Sequence, residues 1–180
     1  MESIKDVSEL SRRDTRNNNL VLVHASGQVT KITSKRRLYD IVITTRLHSG
    51  VPMTIVDHFS QAQNLTLYAW YNFPFHSSAQ LLALASLEMA LRYRLKSKGM
   101  LSSLLKRAID EEGIITEDFL AVAMAPAPAG SLCKTVKTIL PQLRNGYAHG
   151  SDALNPFSIP TIRLVSAIIN ILFEIPASAA

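Results

Sequence analysis

The chain has 180 residues, 47% hydrophobic and 18% charged, a balance that fits one domain with a full core and excludes a disordered chain. Nineteen Lys and Arg against 14 Asp and Glu leave a net charge of +5, which permits an anionic partner without requiring one. A single cysteine, Cys133, excludes a disulfide scaffold and a cysteine-rich zinc site, and a lone thiol suits a reducing compartment such as the cytoplasm.

Residues 1–19 are polar and charged and carry Arg12, Arg13 and Arg16. They read as a mobile lead or a polar first helix, unlike an apolar secretory leader. Residues 20–24 and 29–33 are β-rich runs around Ser26-Gly27-Gln28, which predicts a hairpin lying on a larger body. Residues 36–48 fit helix or strand equally.

From residue 61 the pattern is helical. A helix over 61–72 is expected to stop before Pro74, because the residue ahead of a proline resists helical dihedrals. Ser77 reads as the N-cap of a Leu- and Ala-rich helix over 79–98, with Gly99 as its left-handed stop. A helix over 101–112 ends at Gly113, and another opens at Thr116-Glu117-Asp118, where the helix dipole favours acids. Residues 125–130, with Pro126 and Pro128, read as a loop. Ser131 caps a further helix in which Pro141 either kinks the axis or starts a new turn. Gly150-Ser151-Asp152 is a stop. Residues 161–174 form a last helix, apolar nearly all round, to be covered by neighbours in this chain or another subunit. The apolar stretch within it contains Arg163 and is shorter than the roughly 20 residues a bilayer span needs. The expected fold is mainly α. An up-and-down bundle occupies residues 61–176, and residues 1–60 form an N-terminal extension with a small hairpin.

Three features carry chemistry. In the 79–98 helix, Glu88 falls among Leu84, Leu91 and Leu95. A carboxylate in that apolar arc costs several kcal/mol, by rough estimate, unless a cation meets it. Arg92, four residues on, is the local partner, and an arginine from another helix is the distant one. The pair is either a plain ion pair at the bundle edge or the holder of a working arginine. Secondly, Arg92, Arg94, Lys96, Lys98, Lys106 and Arg107 follow with no acid between Met89 and Ile109. This run is either a solvated face or a nucleic-acid contact without chemistry.

The third feature is Leu143-Arg144-Asn145-Gly146-Tyr147-Ala148-His149-Gly150. Asn145 and His149 are four apart and share a helix face. Gly146 costs a helix about 1 kcal/mol relative to alanine and permits close approach. Gly150 ends the helix, so His149 sits in the last turn, where the dipole favours positive charge. By itself the stretch fits a capped helix end as well as a reactive site.

The element Arg144-Asn145-Gly146-Tyr147-Ala148-His149 resembles the R-x-x-x-x-H signature of the HEPN domains. The upstream "ALASLEMALRYRL" is similar to their long helix carrying an acid ahead of an arginine. The resemblance covers residues 61–176. It implies a homodimeric, metal-independent endoribonuclease that needs no cofactor, with two motifs facing one cleft. It also implies a toxin or defence effector with an antitoxin or regulatory partner, or a member that has lost activity and serves as a dimerisation or nucleotide-binding scaffold. RNA carries its own nucleophile, the 2′-hydroxyl. On this resemblance His149 is general base or acid, Arg144 holds the phosphate, and Asn145 orients one of them. Glu88 tethers Arg144 or Arg92, and Tyr147 packs or stacks on a base, packing being the favoured role.

The remaining candidates are weaker. His24, His48, His58 and His76 lack metal-ligand spacing and read as core or surface histidines. No phosphate-loop or dinucleotide glycine motif is present. Tyr68, Trp70, Tyr71, Phe73 and Phe75 read as core or a subunit contact. No membrane partner is expected.

Overall fold

The two β-rich runs pair as expected. The computed structural model describes residues 4–24, 26–126, 130–149 and 155–174. Within it β1 (Val21–Val23) and β2 (Val29–Lys31) are antiparallel, with Leu22 opposite Thr30. Gly27 turns the chain at φ +80°, a conformation that favours glycine. Leu20 and Ile32, just outside the strands, are buried in the main core. The hairpin is thus anchored to the helices by its base.

Residues 4–19 form no long helix. They make two 3₁₀ turns, Val7–Glu9 and Thr15–Asn19, each capped by an aspartate that accepts from a backbone N–H, Asp6 and Asp14 respectively.

The ambiguous segment is helical: α1 (Lys35–Val42) runs into a 3₁₀ turn, Ile43–Thr45. Ser34 caps α1 by accepting from Arg37 N–H at 3.2 Å, and Leu38, Ile41 and Val42 are buried at helical spacing. The next helix starts earlier than expected. α2 is Met53–Tyr68, so it runs through residue 60, where the sequence reading divides the chain. Ile55, Phe59, Ala62 and Thr66 form its buried stripe.

α3 (Phe75–Leu95) also starts before its expected cap. The carbonyls of Asn72, Phe73 and Pro74 accept from the amides of Phe75, His76 and Ser77. Ser77 therefore lies inside the first turn, where later amides already have helical acceptors, and its hydroxyl is buried with no hydrogen-bond partner among the described residues. Gly99 is not the stop either. Lys96 takes the left-handed conformation, φ +48°, and Ser97 N–H closes on the Arg92 carbonyl at 3.2 Å. A non-glycine residue there costs about 1 kcal/mol.

α4 (Leu101–Lys106) passes into a π-helical turn, Arg107–Glu111, and Gly113 at φ +61° ends it as expected. α5 (Glu117–Ala123) has Thr116 as its N-cap. α6 (Leu132–Ala148) has Ser131 and is one helix through Pro141, neither broken nor restarted. Glu117 serves α6 rather than α5 alone, since its carboxylate accepts from the Leu132 and Cys133 amides. The Cys133 thiol bond and these amides hold the Glu117 carboxyl below its ordinary range. The stop at residues 150–152 and Pro128 in the expected loop lie outside the described residues.

α7 (Ser158–Phe173) is the apolar last helix. Its cover comes from this chain, with α3 as its main neighbour and α2 and α5 adding to it. α3 is the central element, packed on α2, α6, α7 and α4. The fold is therefore mainly α, a helical bundle with a small N-terminal hairpin. Among the described residues no helix is long and apolar enough to cross a membrane.

Candidate functional site

Glu88 lies in the core-facing arc of α3 and is 5% exposed. Both cations that the sequence offered it are present. Arg92 pairs with one carboxylate oxygen from one turn along α3. Arg144 of α6 brings Nε to 3.3 Å from the other. Two guanidiniums on one buried carboxylate leave a local surplus of one positive charge, and both arginines remain partly exposed. Arg92 also donates to the Gly99 carbonyl at 3.1 Å, which fixes its fork over the end of α3.

Asn145 and His149 are exposed. The Arg144 guanidinium makes one long contact, 3.5 Å, to the Asn145 side-chain oxygen. His149 is the C-cap of α6, and its amide donates to the Asn145 carbonyl at 3.0 Å. Among the described residues its imidazole has no hydrogen-bond partner, and none joins it to Arg144. Five helical positions turn the chain by about 140° beyond one full turn. Within one chain, Arg144 therefore faces α3 while His149 faces outward.

Tyr147 is held by hydrogen bonds. Its hydroxyl donates to the Gln80 side-chain oxygen at 3.0 Å and accepts from Asn155 Nδ2 at 2.8 Å. Gln80 in turn donates to Asn155 Oδ1 at 2.9 Å and accepts from Thr161 at 3.4 Å. This network joins α3, α6 and α7 and ties the Tyr147 hydroxyl into the bundle. The sequence reading missed Gln80. Its signal was the same as that of Glu88, a polar side chain in a Leu- and Ala-rich helix, fully buried here.

The same contacts set the direction of α6. Glu88 meets Arg144 while Gln80, earlier on α3, meets Tyr147, later on α6. The helices are antiparallel. The last turn of α6 therefore lies beside the N-terminal half of α3. Lys96 and Lys98 lie beyond the other end, about 24 Å from Gln80 along the axis at 1.5 Å per residue. The basic run does not adjoin His149. Half of it is also engaged within the chain: Arg92 as above, Arg94 to the Leu172 carbonyl at 2.8 Å, and Arg107 to Glu112 at 2.8 Å. Lys96, Lys98 and Lys106 are exposed.

The other histidines have structural partners. His24 bonds to Thr30, His48 to the Asn170 carbonyl, and His58 to Ser86. His76 is buried, with Nδ1 on Ser158 Oγ at 2.7 Å and Nε2 on Asn17 Oδ1 at 3.0 Å. Burial pushes its pKa down to about 4, so the ring is neutral near pH 7. Trp70 and Phe73 are buried and Tyr68 is exposed. Among the described residues no three His, Cys, Asp or Glu side chains converge as a metal site needs.

No family model, curated protein or solved structure matches the chain.

Proposed function

We propose that the chain is a metal-independent endoribonuclease of the HEPN kind, acting as a homodimer with His149 and Arg144 in its active cleft. The observation that carries the reading is the pairing of an anchored guanidinium with an unengaged imidazole on one helix end. Glu88 pairs with the Arg144 guanidinium through Nε at 3.3 Å, while the His149 ring stays exposed. That is the division of labour the reaction asks for. One His149 takes the proton of the 2′-hydroxyl, whose oxygen attacks phosphorus. Arg144 stabilises the charge that builds on the phosphoryl oxygens. The 5′-oxygen leaves with a proton from the partner's His149. The products are a 2′,3′-cyclic phosphate and a 5′-hydroxyl end. The outward face of His149 is the reason a second copy is required to supply both acid and base. Asn145, on the same helix face as His149, orients the substrate phosphate or the ring. The cytoplasm, a toxin or defence role and an antitoxin partner follow from the same reading.

A second reading is a non-catalytic dimerisation or nucleotide-binding scaffold of the same family. The absence of any contact between Arg144 and His149 within the described chain favours it.

Incubation with mixed RNAs in chelator separates the two. Wild type is expected to cleave, His149→Ala to lose about 10²–10⁴-fold, and Arg144→Ala to lose about 10²–10³-fold. Equal degradation by wild type and His149→Ala, or none by either, removes the nuclease reading. A monomer in sedimentation at micromolar concentration removes the two-copy cleft.

A further inference from the structure

A cavity of about 530 Å³ opens between β1, the end of α5, α6 and the start of α7. It belongs to none of the chemistry above. Its volume falls in the range of small-molecule sites. Its floor includes buried Val136 and Leu164. At its sides Val21, Val23, Ile139 and Phe157 remain between 42% and 58% exposed. Four large apolar side chains left in water around one concavity mark a surface made to be covered.

The lining also states what covers it. It is mainly aliphatic, and its one aromatic ring among the described residues is Phe157, so these offer no stacking sandwich for a flat base or cofactor ring. The Thr161 hydroxyl is engaged with the Phe157 carbonyl at 2.8 Å and with Gln80. The Thr135 hydroxyl is likewise engaged, with the Ser131 carbonyl at 2.9 Å, so among the described lining the Asn19 amide is the one uncharged polar side chain left to sort a sugar or peptide backbone. The single charged side chain among the described lining is Arg163. It is exposed and has no ion-pair partner among the described residues. An apolar bed with one guanidinium fits a ligand with an apolar chain and one anionic head, and the planar fork matches a carboxylate with two parallel bonds. We propose that this cavity binds an aliphatic carboxylate, its chain along the apolar wall of α6 and α7 and its head on Arg163.

The test is calorimetric titration of the full chain with decanoate below its micelle concentration, beside decanol, decylammonium and decyl phosphate. Saturable decanoate binding is expected, with decylammonium at least tenfold weaker. Arg163→Gln should weaken decanoate about tenfold, the worth of one charge-assisted hydrogen bond, and leave decanol unchanged. Arg163→Lys, which keeps the charge but loses the fork, should bind decanoate more weakly than wild type and more tightly than Arg163→Gln. Because Arg163 is exposed, unaltered helical circular dichroism is expected for both variants. Absence of saturable binding, or equal decanoate affinity in wild type and Arg163→Gln, overturns the proposal. Decyl phosphate binding as tightly as decanoate overturns the choice of carboxylate.

Discussion

Two polar clusters sit on α3, about a helix-half apart, and they are built in opposite ways. At its N-terminal end His76 has a partner on each ring nitrogen and is sealed from water. Asn17 spans the gap: its amide donates to the Ala69 and Trp70 carbonyls, so its oxygen faces the His76 ring. This assigns the proton to Nε2 and makes Nδ1 the acceptor of the Ser158 hydroxyl. Arg13 stacks 4.1 Å above Trp70, and Asp14 accepts from Arg16 and from the Phe73 amide. Each of these side chains has a partner, and Arg13 Nε is the one buried polar atom among them left without a hydrogen bond. Further along, Glu88 is also buried, yet its two arginines reach out of the core, and His149, one turn past Arg144 on α6, engages nothing described. Buried and fully satisfied polar groups specify a fold. A buried anchor that ends in open side chains is available to a ligand. The comparison gives His76 a structural role and leaves His149 free for the chemistry proposed above.

The sharpest way to break that assignment is to remove each imidazole in turn. His76→Ala leaves the Asn17 side-chain oxygen and the Ser158 hydroxyl unpaired in a cavity, and a loss of about 2–4 kcal/mol in denaturant unfolding is expected. His149→Ala removes an exposed side chain and should change stability by no more than about 0.5 kcal/mol. Comparable losses for the two would erase the distinction.

Acid sharpens the same contrast. The folded His76 holds its pKa near 4, against the ordinary 6.5, because burial disfavours the imidazolium. Between these values the unfolded chain binds the proton and the folded chain does not. The stability contributed by the neutral ring is complete above pH 6.5 and is lost as pH falls toward 4, at up to about 1.4 kcal/mol per pH unit. Asp14, held well below its ordinary range chiefly by its hydrogen bond from Arg16, gives way only below that window. Histidine ring resonances followed by NMR should show His76 unmoved down to about pH 4. A midpoint near 6.5 would mean that the sealed cluster is open in solution.

Much of this architecture was legible and some was not, for reasons that differ by residue. The hairpin, the Ser131 cap and the Gly113 stop are local, set by residues within a few positions of one another, and each forms as read. The Glu88–Arg92 pair was legible because helical spacing places both on one face. The second arginine on Glu88 was only one of two alternatives, because which helix packs there is a tertiary fact. Asn17-Asn18-Asn19 gives no local hint that Asn17 alone is fully buried. The Ser77 cap failed because turn bonds ahead of it start α3 at Phe75 and leave Ser77 inside the helix. Where the positive run sits is a further tertiary fact. Net charge along the chain is visible in sequence, but the antiparallel course of α6, which carries His149 away from that run, is not.

The smallest expected effect tests whether Glu88 is a shared anchor. Glu88→Gln keeps the volume and one acceptor but removes the charge that two guanidiniums face. Both arginines keep access to water, which screens the loss, so about 1–2 kcal/mol is expected rather than the larger cost of a sealed pair. A double-mutant cycle then divides the anchor. If Glu88 serves both arms, Arg92→Gln and Arg144→Gln each couple to Glu88→Gln by about 0.5 kcal/mol or more in urea unfolding. Arg92 lies one turn away on the same helix and has the Gly99 carbonyl as a further acceptor. Arg144 must be brought in by the packing of α6 on α3, and Glu88 is its one ion-pair partner among the described residues. The larger coupling should therefore be to Arg144. Coupling confined to Arg92 would make the carboxylate a local helix pair and leave Arg144 without an anchor.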